Sequence, residues 1–101
     1  MTASVLLLAG TTEAAELARA LHGRAGVRVL ASLAGRTSAP GALPCPVRVG
    51  GFDGVAGLVE ELRAGGHRLL VDATHPFAAQ MPRHAAAAAT EAGVPRLRLV
   101  R

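Results

Sequence analysis

Leu69-Leu70-Val71-Asp72-Ala73-Thr74-His75-Pro76-Phe77-Ala78 is an apolar strand that breaks off into polar side chains and a proline. Apolar residues give way to Asp, Thr and His in this manner where a strand reaches a rim. In an open α/β sheet the rim at the carboxyl ends of the strands is where ligands bind. Two more stretches share the form: Leu7-Leu8-Ala9-Gly10-Thr11-Thr12-Glu13 and Leu30-Ala31-Ser32-Leu33-Ala34-Gly35-Arg36. Three polar strand tips imply one shared site.

Around these tips, apolar strands alternate with amphipathic helices, the pattern of a parallel sheet covered on both faces. The first strand is expected over 4–9, apolar throughout as strands buried on both sides are. A helix over about 12–22 follows, with Ala14, Leu17, Ala18 and Leu21 on one face. Thr11 or Thr12 can cap it, Glu13 and Glu16 favour its positive end, and Gly23 can close it. The second strand spans 27–32. The Gly-, Pro-, Ser- and Thr-rich loop over 33–46 is long for a plain connection. A short strand over 47–49 turns at Gly50-Gly51-Phe52 into a second helix, with Asp53 as N-cap and Val55, Leu58, Val59 and Leu62 as its stripe.

The fourth strand starts at Arg68 or Leu69 and ends at Ala73. A third helix is expected from Pro76 or Phe77, with a bend at Pro82 or a restart in which Pro82 takes the first position. Gly93 and Pro95 end it, and a fifth strand covers 96–100. With right-handed crossovers this predicts a Rossmann-like α/β sheet of about five strands, ordered 3-2-1-4-5, helices on both faces. The chain stops directly after a strand, which predicts one part of a larger protein.

Length and composition bound the answer. The 101 residues suffice for one domain, 1–101, and only two residues are aromatic. The net charge is +4, and every basic residue is Arg. No basic run or interleaved aromatic set exists for stacking bases, so nucleic acid is not an expected partner; the arginines read as a dispersed solvated surface. Nothing approaches the roughly 20 apolar residues of a membrane helix, and no signal peptide precedes the first strand. The single Cys45, between Pro44 and Pro46, reads as a small side chain in a loop and fits a reducing cytoplasm. His22, His67 and His84 read as residues of helix ends or exposed faces, with no metal set.

The turn after the first strand places backbone N–H groups and a helix dipole where a phosphate can sit. The usual dinucleotide fingerprint has three glycines, whereas Gly10-Thr11-Thr12-Glu13 has one. Two readings stand: threonine hydroxyls add bonds to a phosphate, or Gly10 only makes a tight turn and the threonines cap a helix. The second tip says more. An NAD enzyme places an acid about 20 residues past its first glycine. Here Ser32 lies 22 positions after Gly10, Arg36 and Thr37 follow, and no acid occurs between Glu16 and Asp53. A neutral residue with a guanidinium suits a 2′-phosphate, so NADPH is favoured over NADH; the alternative is a solvent-exposed loop arginine. Asp72 reads as an anchor for neighbouring turns. His75 is a general acid, a substrate contact or a helix-start residue, with no partner to decide, and no catalytic residue is assigned. A Rossmann methyltransferase would want a glycine-rich first turn and an acid after the second strand, and both are missing.

Together these segments resemble the precorrin-6A reductase family of cobalamin biosynthesis, including its cobalt-precorrin variants. The matching pieces are Leu6 to Ala14, Ser32-Leu33-Ala34-Gly35-Arg36-Thr37, Val47-Arg48-Val49-Gly50-Gly51-Phe52 and Asp72 to Ala78. The resemblance implies an NADPH-dependent oxidoreductase that reduces a double bond of a tetrapyrrole precursor, precorrin-6A to precorrin-6B. It implies two Rossmann-like domains with the macrocycle between them, of which this chain is the N-terminal NADP(H)-binding one. Gly10, Thr11, Thr12 and Glu13 would line the pyrophosphate and ribose, and Ser32 and Arg36 the 2′-phosphate. Gly51, Phe52 and Thr74 would border the cofactor's nicotinamide end, with His75 and Pro76 against the substrate. A non-catalytic NADP(H)-binding module is the alternative.

Overall fold

A computed structural model describes residues 2–33, 43–74 and 80–99. In chain order the elements are β1 (Ala3–Leu8), α1 (Thr12–His22), β2 (Val27–Leu33), β3 (Val47–Val49), α2 (Gly54–Ala64), β4 (His67–Asp72), α3 (Gln80–Ala92) and β5 (Arg96–Arg98). The strands form one sheet in the order β3-β2-β1-β4-β5, and every pairing is parallel. The expected fold class and strand order are both observed. The start of the third helix and the last residues of the fifth strand fall outside the described residues.

The unbroken apolar run of β1 is explained by the two faces it serves. Val5 and Leu7 point to one face, where they meet Ala14 and Ala18 of α1 and Val29, Ala31 and Val71 of the neighbouring strands. Leu6 and Leu8 point to the other, against Leu58, Val59 and Leu62 of α2 and Ala85, Ala88 and Ala89 of α3. Leu6 and Leu7 are fully buried. Each such leucine contributes about 1.5–3 kcal/mol relative to an exposed one. Alanine on the inner faces of α1 and α3 lets these helices approach closely, which is how a core with so few aromatics closes. Cys45 belongs to the α1-side core and is buried.

Two local expectations are corrected. Asp53 stands at the N-cap of α2 but in the left-handed region (φ 61°), and its side chain makes no capping bond. A capping residue ordinarily has extended backbone, which aims its side chain at the first-turn N–H groups. Pro82 is the third residue of the described part of α3, whose start lies outside the described residues.

His67 is the second correction. It lies on β4 and is buried, not exposed. Its Nδ1 pairs with Ser4 Oγ at 2.9 Å and its Nε2 with Glu61 Oε2 at 2.9 Å. The register of β1 against β4 shifts here, so that Ser4 faces His67 while Val5 faces Leu69. A Cβ on Gly65 would overlap the imidazole, so glycine is what admits the ring.

Candidate functional site: the carboxyl rim of the sheet

The chain leaves β1 toward β2 on one side, and the later crossover places β4 on the other. The carboxyl ends of β1 and β4 therefore flank the topological switch point, where open α/β sheets bind ligands. Gly10 turns the chain there with φ 127°, a conformation closed to ordinary side chains. The space an added Cβ would take at Gly10 is open.

Thr11 links three elements. Its Oγ1 accepts from the Ala14 N–H at 3.2 Å, capping α1 from extended backbone, and donates to the Ala73 carbonyl at 2.6 Å. That second bond ties the end of β1 to the end of β4. The single hydroxyl proton of Thr11 is therefore spent inside the protein, and a phosphate at this turn would meet backbone N–H groups rather than that hydroxyl. Glu13 sits in the first turn of α1.

At the tip of β4, Asp72 is completely buried. Its Oδ1 accepts from the Thr74 N–H at 3.1 Å and from the Thr74 hydroxyl at 2.6 Å. Its Oδ2 accepts from Arg98 Nη1 at 2.6 Å, and Nη1 also reaches Thr74 Oγ1 at 3.2 Å. A buried carboxylate is tolerated when paired and hydrogen-bonded in this manner. Asp72 thus anchors the β4 turn, as its sequence position suggests.

The β2 and β3 tips form the third part. The Ser32 carbonyl accepts from the Ala9 N–H at 2.9 Å, and its buried hydroxyl accepts from Arg48 Nη1 at 3.3 Å. Arg48 also donates to the carbonyls of Gly50 (3.2 Å) and Gly51 (3.3 Å) and lies 4.0 Å over the centre of the Phe52 ring. A groove of about 290 Å³ runs from Arg48, Gly51, Phe52 and Asp53 down one side of α2. A second groove, about 430 Å³, lies past His67 at the amino end, away from the rim.

At the rim Thr11 is bonded to Ala73, next to Thr74, and Ala9 to Ser32, which reaches Gly51 and Phe52 through Arg48; Gly10, Thr12 and Glu13 flank Thr11 in the β1–α1 turn. Arg36, His75 and Pro76 lie outside the described residues. Arg48 and Arg98 were missed among the dispersed arginines. The available signal was alternation: Arg48 in Val47-Arg48-Val49 registers with Ser32, and of the two same-face arginines in Arg96-Leu97-Arg98 the one at the strand end registers with Asp72.

Burial pushes the Cys45 thiol above its ordinary range. Among the described residues no group of three His, Cys, Asp or Glu side chains is placed to hold a metal, and no helix is long and apolar enough to cross a membrane.

A five-stranded parallel sheet with a polar, hydrogen-bonded rim at its switch point defines a Rossmann-like α/β domain. The chain belongs to the family described as precorrin-6x reductase CbiJ/CobK, which it matches over residues 4–101. It is 53% identical over 90 residues to a precorrin-6A reductase of Rhodobacter capsulatus, covering 89% of this chain and 36% of that protein. It is 51% identical over 98 residues to a precorrin-6A reductase of Mycobacterium tuberculosis, covering 96% of this chain and 39% of the relative. A solved CobK precorrin-6A reductase superposes with a TM-score of 0.92 at 50% identity, over all of this chain and 39% of its own. The chain thus spans little more than a third of the length of these relatives.

Proposed function

We propose that this chain is the NADP(H)-binding domain of an oxidoreductase that reduces precorrin-6A, or its cobalt-containing form, to precorrin-6B in the cytoplasm. The observation that carries the reading is the Thr11–Ala73 bond at the switch point, in a chain of this family. It holds together the two strand ends between which a dinucleotide would lie. The rim fits the cofactor: Gly10 has no side chain to block approach, and the α1 N-terminus offers N–H groups and a favourable dipole to a pyrophosphate.

When bound, NADPH supplies the hydride, and the chain's residues bind and orient. Gly10, Thr12 and Glu13 border the pyrophosphate and ribose, while Thr11 holds the turn in shape. Ser32 and Arg36 take the adenosine 2′-phosphate. Asp72 fixes Thr74 at the β4 tip; Thr74, Gly51 and Phe52 border the nicotinamide end of the cofactor, and His75 and Pro76 meet the tetrapyrrole. A second domain, matching the rest of the relatives' length, closes the other wall of the cleft. The 101-residue chain is accordingly expected to bind cofactor without full turnover.

Calorimetric titration with NADPH and NADH tests the reading. Tighter binding of NADPH, weakened by Arg36→Ala, supports it; a preference for NADH would refute it.

A further inference from the structure

We infer that Arg48, through Ser32, is a specificity-determining residue for the 2′-phosphate of the cofactor. The inference rests on the NADP(H) reading and assigns a residue within it. Three observations carry it. First, β3 is inverted relative to an ordinary edge strand: Val47 and Val49 stand 38% and 61% exposed, while the arginine between them turns inward and is half-buried. Second, every hydrogen-bond partner of that guanidinium among the described residues is a neutral oxygen. It donates to Ser32 Oγ, Gly50 O and Gly51 O, and no carboxylate among the described residues pairs with it. Asp53, Glu60 and Glu61 line the groove on the α2 side without an ion pair to it. Third, the Phe52 ring beneath it fixes its plane.

A half-buried positive charge that hydrogen-bonds neutral oxygens and has no ion-paired carboxylate among the described residues favours an anion in its vicinity. The Ser32 hydroxyl is biased by the same contact. Its oxygen already accepts from Arg48, so its one proton is left for an acceptor outside the pair. A cation beside a hydroxyl donor recognises a phosphate and gains little from the 2′-hydroxyl of NADH. The acids along α2 make the Ser32 side the favourable approach.

The test uses the full chain and two adenosine fragments, 2′,5′-ADP and 5′-AMP, which differ in the 2′-phosphate. Arg48→Gln keeps an N–H donor and removes the charge; Arg48→Lys keeps the charge. Expected is a loss of 2′,5′-ADP affinity in Arg48→Gln of roughly 10- to 100-fold, the range of a charge-assisted hydrogen bond. Binding of 5′-AMP should hold within about twofold, and Arg48→Lys should retain most of the preference. An unchanged ratio of the two affinities in Arg48→Gln would overturn the role of Arg48 while leaving the NADP(H) reading intact. Equal loss of both ligands would show a merely structural arginine, also overturning it. Wild-type chain that does not distinguish the fragments would sink both readings.

Discussion

The two ends of the sheet bury the same kinds of side chain and use them differently. At the amino end Ser4, His67 and Glu61 form a closed chain of hydrogen bonds between β1, β4 and α2. Each group meets another, so the cluster stabilises packing and presents little outward. At the carboxyl end Asp72 is equally enclosed, but its bonds run to Thr74 and Arg98, residues of the turn and of the neighbouring strand. Among the described residues Arg48 there hydrogen-bonds neutral oxygens, lies over the Phe52 ring and pairs with no carboxylate. A polar cluster that satisfies itself is architecture. The carboxyl-end cluster instead holds the strand tips in place, and it is there that the proposed cofactor would bind.

That contrast can be broken most sharply at Asp72. Asp72→Ala leaves the Arg98 guanidinium and the Thr74 turn without their anchor. Urea denaturation should show a loss of about 3–4 kcal/mol, the lower part of the range for breaking a buried pair because Arg98 is partly exposed. NADPH affinity should fall in parallel, measured where the variant remains folded.

The amino end should behave otherwise. His67→Ala removes a buried ring and two hydrogen bonds, with an expected cost of about 2–3 kcal/mol in the same assay. Its NADPH affinity should be unchanged; a weakened affinity would erase the distinction between the ends. Gly65→Ala should destabilise the wild type by overlap with the His67 ring and do far less in the His67→Ala background.

Thr11→Ala loses the helix cap and the strand-to-strand bond, for about 1–2 kcal/mol. Thr11→Ser keeps both bonds and should restore stability and cofactor binding together. The smallest effect belongs to Cys45. Its raised pKa means that the folded chain holds the proton more tightly than the unfolded one. Its contribution is therefore complete at neutral pH and is lost as pH climbs from the ordinary thiol range through the raised value. Thiol labelling at pH 8 should be slow in the folded protein and fast in urea. Rapid labelling without denaturant would contradict the burial.

Comparison of particular residues explains which features were legible beforehand. Thr11 as a cap is a contact of three positions, and the stripe Leu58, Val59, Leu62 is a helical period, so both appear in any short window. The strand order followed from alternating strands and helices with one handedness of crossover. Asp53 went astray because cap geometry depends on how the chain enters a helix, which composition does not record. His67 went astray for a stronger reason: its partner Ser4 is 63 positions away.

Apolar periodicity alone was enough to set the elements, their parallel arrangement and the polar tips, because the burial of one face is written in residues a few positions apart. Which tip bonds to which was settled by folding. Thr11 meets Ala73 across 62 positions, Arg98 meets Asp72 across 26 and Arg48 meets Ser32 across 16. Those pairings exist only once parallel strands lie side by side in register, and it is the pairing that turns two scattered arginines into an anchor bound to Asp72 and a guanidinium that no described carboxylate pairs.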